Sequence, residues 1–167
     1  VRISVFNSKE LQGVILAMKG FERDLAKQIR RVTKSVVDPE WRKAVAERAS
    51  TRSEARVLGS TARVAVSDQN VTLKSAAVGR ALTGGLKPSE NFAGVEFGAD
   101  QNDVTTYQAT SKKGKRFKVT RHTKRQFRPR KKNGYVVMPA AAEIIPRIAS
   151  LWVQTTIRTF HELIEKR

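Results

Sequence analysis

Residues 61–74 read TARVAVSDQNVTLK, and the period of the chain changes there. Upstream, apolar residues recur every three or four positions. Here Val64 and Val66 alternate with their neighbours, Ser67-Asp68-Gln69-Asn70 supplies turn chemistry, and Val71 and Leu73 resume the alternation. Period two on both sides of a polar turn predicts an antiparallel hairpin. A hairpin placed after long helices makes the chain α+β, with a small antiparallel sheet on which helices pack.

Working outward from the hairpin, Leu11, Val14, Ile15, Met18, Leu25, Ile29, Val32 and Val36 mark one face of a long helix. Asn7 with Glu10 forms a variant of the capping box at its start. That helix is expected to end near Val37, because Asp38-Pro39-Glu40 reads as an N-cap, a proline at the first helical position and an acid in the first turn. A second helix is then expected from Pro39 towards Val57, stopped by Gly59. Before the helices, Arg2-Ile3-Ser4-Val5 alternates as a short strand or an extended arm able to pair with a neighbour.

Downstream, Gly84-Gly85 and Pro88 mark a loop, Ala93 to Gly98 reads as a further strand, and Tyr135-Val136-Val137-Met138 as a returning one. The chain closes in a helix whose face is Ile144, Ile148, Leu151, Trp152, Thr155, Phe160 and Leu163, packed on the sheet, with Pro146 either kinking it or starting its longer part. At 167 residues this is one domain, 1–167, carrying an insertion at about 104–134.

The insertion holds most of the charge. The formal net charge is +18, from 33 Lys and Arg against 15 Asp and Glu. No acidic residue lies between Asp103 and Glu143, whereas twelve cations fall within 112–132: Lys112, Lys113, Lys115, Arg116, Lys118, Arg121, Lys124, Arg125, Arg128, Arg130, Lys131 and Lys132. Phe117, Val119 and Phe127 suffice for a projecting two-stranded ribbon but not for a core of its own. Such a block is either a solvated loop held open by its own repulsion or a surface for polyanions. Phosphates need little beyond cations on a ribbon, and Phe117, Phe127 and His122 offer rings to open bases. No base-reading motif is present, so nucleic acid binding would be independent of sequence.

Enzymatic chemistry finds no foothold. Cysteine is absent, and the two histidines, His122 and His161, have no ligand-spaced partners. Most carboxylates sit among Lys and Arg on helices, as solvated pairs do. Glu96, between Val95 and Phe97, is expected to face outward from a strand or to form an intersubunit salt bridge. Gly84-Gly85-Leu86-Lys87-Pro88 lacks the spacing of a phosphate loop. No metal, cofactor or enzyme activity is expected. No apolar run approaches the roughly 18 residues of a membrane span, and Val1 to Phe6 lacks the core of a signal peptide, so a soluble, unexported protein without a membrane partner is expected.

Two motifs carry a family resemblance. Gly94-Val95-Glu96-Phe97-Gly98-Ala99 is similar to a strand ending in Val-Glu-Phe-Gly-Thr, and Val136-Val137-Met138-Pro139-Ala140-Ala141, leading into the last helix, is similar to a Pro-Phe-Leu-Arg-Pro-Ala approach. With the long N-terminal helix, they make the chain resemble the tail-completion or neck proteins of long-tailed, lambdoid-type bacteriophages from about Leu11 to Leu163. The resemblance implies a non-enzymatic virion protein, assembled in the host cytoplasm. It would form a ring, a hexamer or a dodecamer, between the head connector and the tail-terminator or tail-tube proteins, with genomic DNA passing through. It also implies that Val95, Glu96, Phe97, Gly98, Met138 and Pro139 are structural. Six copies would bring roughly 70 of the insertion's cations against about 24 phosphate charges along a ring some 40 Å tall. Most of the insertion is therefore expected on acidic protein surfaces and a minority near DNA.

Overall fold

The computed structural model describes residues 1–4, 23–67 and 70–165. The helical start expected at Asn7 and Glu10, the face from Leu11 to Met18 and the turn tip Asp68-Gln69 lie outside them. The fold is α+β, as the change of period predicts. Strand β3 (Val71–Lys74) is the centre of a three-stranded antiparallel sheet, flanked by β2 (Arg63–Val66) and β1 (Arg2–Ser4). The register sets Val64 and Ile3 opposite Leu73, and Val64, Val71 and Leu73 are buried together. The strand at Arg2 forms as expected, and its partner is β3 of the same chain.

Helix α1 (Arg23–Arg48) runs without a break through Pro39, so the boundary expected at Asp38 is absent. Ile29, Thr33, Val37, Trp41 and Val45, each four apart, are all buried, and this stripe continues across the proline. Pro39 and Ser35, whose carbonyl loses its donor to the proline, both lie on the exposed side, where that carbonyl is open to solvent. Asp38 caps nothing on its own helix. Its Oδ1 accepts the Val64 N–H at 2.7 Å and its Oδ2 accepts Arg42 Nε at 2.6 Å. Trp41 Nε1 donates to the Lys74 carbonyl at 3.0 Å, so α1 is tied to both hairpin strands.

The second helix expected from Pro39 to Val57 is interrupted near Ser50. There Thr51 and Glu54 form a capping box on the single turn Arg52–Glu54, which passes into the π-helical turn Ala55–Gly59, ended by Gly59 as expected.

Helix α2 (Pro88–Phe97) replaces the strand expected at 93–98. Proline stands at its start, Glu90 lies in its first turn, and Phe92 meets Phe97 edge to face at 5.9 Å. Helix α3 (Val137–Ile164) likewise replaces the strand expected at Tyr135–Met138. Val136 is its N-cap, and Pro139 falls in the first turn, where no backbone donor is required. Pro146 lies within α3 without ending it. Ile144, Ile148 and Trp152 are buried as their spacing predicts, Leu151 and Thr155 are half-buried, and α3 packs along α1 and joins the sheet in one core.

Candidate interaction site: the basic ribbon and its anchorage

The insertion opens with β4 (Thr105–Thr110), turns through Ser111–Lys115, and returns as β5 (Arg116–Arg121) in antiparallel register. The turn closes through Ser111 N to the Lys115 carbonyl at 2.9 Å and Lys115 N to Ser111 Oγ at 3.1 Å. Because side chains alternate along a strand, the register sorts the ribbon into two faces. Tyr107 with Val119 and Ala109 with Phe117 make one, extended by Thr105 and Arg121. Gln108 with Lys118, Thr110 with Arg116 and Thr106 with Thr120 make the other. Tyr107 is 43% exposed and Phe117 47% exposed. The Arg121 guanidinium lies 5.9 Å from the Tyr107 ring.

The twelve cations divide at the end of β5. Lys112, Lys113, Lys115, Arg116, Lys118 and Arg121 are exposed on the ribbon and pair with no carboxylate of the described residues. The following segment is used mainly to fasten the ribbon's base. Lys124 pairs with Asp103 and holds its carboxyl below the usual carboxylate range by hydrogen bond and charge. Arg125 Nε donates to the Gln101 carbonyl at 3.4 Å. Arg128 stacks on Tyr135 at 3.8 Å and donates to Glu54 Oε1 at 3.3 Å and Ser50 Oγ at 3.1 Å; Lys131 lies 5.0 Å from the same ring. Arg130 and Lys132 remain exposed and pair with no carboxylate of the described residues.

Glu54 lies at the inner end of this network. Burial works against its charged form, but the N–H groups of Thr51 and Ser50, then Arg128 and the Ser50 hydroxyl, outweigh burial and leave its pKa below the usual value.

Backbone hydrogen bonds stitch the same segment to the end of α2. Ala99 N donates to the Arg128 carbonyl at 2.9 Å, Lys131 N to the Phe97 carbonyl at 2.8 Å, and Tyr135 N to the Glu96 carbonyl at 2.9 Å. The Tyr135 hydroxyl donates to the Pro129 carbonyl at 2.7 Å. Phe127, offered by sequence as a stacking ring, is half-buried against Gly94, whereas His122 is exposed beside the ribbon. Gly98 permits the close approach: its φ is +71°, and a Cβ there would stand 2.2 Å from the Pro129 oxygen.

Glu96 overturns its expected role. It is fully buried and makes no salt bridge among the described residues. Its carboxylate accepts the Val137 N–H at 2.8 Å, the Met138 N–H at 2.9 Å and the Val136 N–H at 3.3 Å. These are the donors that the start of a helix leaves without partners, so α2 supplies the cap of α3. Gly134, with φ +71°, makes room, since a Cβ there would meet Glu96 Oε1 at 2.2 Å. Val95 is buried, Phe97 and Pro139 half-buried, and Met138 exposed. The motif residues thus shape the joint between α2 and α3. Tyr107 was missed as part of the ribbon's aromatic face; its alternation with Ala109 was the available signal. His122 and His161 are exposed, and among the described residues no cluster of His, Asp or Glu is placed to hold a metal ion. Nor is any described helix long and apolar enough to cross a membrane.

Comparison of the chain with protein-family models, curated proteins and solved structures finds no match.

Proposed function

We propose that the chain is a structural protein of a phage neck, which associates with itself into a ring, joins the head connector to the tail and lets DNA pass. The observation that carries this reading is how the motif residues are used. Val95 to Gly98 and Gly134 to Pro139 anchor one segment, and that segment holds a charged ribbon away from the helical body. A body whose motifs offer backbone geometry in place of reactive groups, with an arm extended to a partner, suits a joining protein better than an enzyme. Arg130 and Lys132, exposed at the ribbon's base, would meet acidic surfaces of neighbouring subunits or of the adjacent ring. The ring itself, hexameric or dodecameric, would place DNA in its lumen without requiring tight binding along the wall.

Electron microscopy of lysates from a phage lacking this gene tests the role. Filled heads beside finished, unattached tails are the expected result. Normally joined virions would reject the reading.

A further inference from the structure

We propose that the β4–β5 ribbon is a binding site for single-stranded nucleic acid, with unpaired bases stacked on Tyr107 and Phe117 and phosphates held by the cations around them. This goes beyond the joining role and does not depend on it. Two independent features meet on the ribbon. The first is six cations that pair with no carboxylate of the described residues, on a ribbon whose sequence has no acidic residue between Asp103 and Glu143. Their charge is complementary to a polyanion and to little on this chain. The second is the sorting of side chains. Tyr107 opposes Val119 and Phe117 opposes Ala109, so the two rings lie diagonally on one face, roughly 7 Å apart. Both are close to half exposed although a Tyr and a Phe bury readily. A folded duplex keeps its bases stacked on each other and offers this face nothing, whereas an open strand gives each ring a base. Arg121 beside Tyr107 and Lys112, Lys113 and Lys115 at the turn border the ring face, while Lys118 and Arg116 point to the other face and would reach the phosphates of such a strand only around the ribbon's edge.

The test uses the full chain and fluorescence anisotropy with a labelled oligothymidylate of about 20 nucleotides and a duplex of the same length, each across a salt series. If four to six phosphates are neutralised, log affinity for the single strand should fall against log salt with a slope of about −3 to −4. Tyr107→Val with Phe117→Val keeps β-forming side chains on the ribbon while removing the rings. This variant should weaken single-strand binding at least tenfold with the slope unchanged and leave duplex binding alone. Arg116→Gln with Lys118→Gln should instead flatten the slope by roughly 1.4. Tyr107→Phe with Phe117→Tyr should bind as the parent does.

Single-strand binding indifferent to the valine pair would overturn the proposal and reduce the ribbon to electrostatic adhesion. Tighter binding of the duplex would overturn it in favour of a groove contact. Loss of self-association in sedimentation, with single-strand binding retained by the valine pair, would make the face a protein dock. The first two outcomes do not bear on whether heads and tails join, and the third would overturn strand binding while supporting self-association, so failure here and failure of the neck reading are separable.

Discussion

Replacing Glu96 by alanine should cost more stability than any surface substitution on this chain. The carboxylate is fully buried and satisfies three backbone N–H groups at the start of α3. Val136 and Val137 are themselves buried and would lose their acceptor outright, at about 1–3 kcal/mol each. Met138 is 39% exposed, so its N–H can turn to water, and its loss is smaller. A central figure is about 4 kcal/mol, a large share of the roughly 5–15 kcal/mol that holds a domain together. For a domain of this size each kcal/mol moves the melting temperature by about 2–4 °C, so Glu96→Ala should melt about 8–16 °C below the parent. Circular dichroism at 222 nm reads it. Glu96→Gln keeps one acceptor oxygen but turns an amide N–H2 towards backbone donors, and should fall between the two. Glu90→Ala, on the same helix and paired with the exposed Lys87, is the control and should stay within about 0.5 kcal/mol of the parent. A loss below about 3 °C for Glu96→Ala would show that the carboxylate is not the cap of α3.

Other expectations follow from the same joint. Gly98→Ala would force a Cβ against the Pro129 oxygen in a left-handed conformation, and should cost at least about 2 kcal/mol; an unchanged melt would contradict that contact. Glu54 has a depressed pKa, so its contribution is fully present above the ordinary carboxylate value of about 4.3 and disappears as pH falls through the lower folded value. Melts taken from pH 6 down to pH 3 should therefore decline more steeply for the parent than for Glu54→Gln, and parallel curves would exclude this linkage. Reversing Lys112, Lys113, Lys115 and Arg116 to glutamate removes no contact with the body and should leave the melting temperature unchanged while blocking head-to-tail joining. Infectious particles assembled from that variant would show that the ribbon is not needed for joining.

The two prolines near helix boundaries show where local reading stops. Asp38-Pro39-Glu40 has the chemistry of a helix start, yet it lies inside α1, because Val37, Trp41 and Val45 bury one continuous stripe and Pro39 faces outward. Lys87-Pro88-Ser89-Glu90 lacks the N-cap residue, yet it does start a helix. Val95 and Phe97 flank Glu96 as in a strand, and only the burial of Val95 and Glu96 side by side on α2 settles the matter. In each case the outcome depends on which face meets the core, and the local sequence does not carry that information.

By itself the sequence determined the α+β class, the hairpin at 61–74, the stop at Gly59, the buried positions Ile144, Ile148 and Trp152 of the last helix and the ribbon that carries the charge. All of these rest on periodicity or composition over a few adjacent residues, and secondary structure responds to both directly. The tertiary structure alone decided that Glu96 caps a helix starting 41 residues later, that Arg128 is tied to a carboxylate 74 residues earlier, and that the twelve cations divide into a fastened set and one that pairs with no described carboxylate. Those relations join groups that meet only after the chain has folded, and the free energy of burying a charge depends on what it meets there.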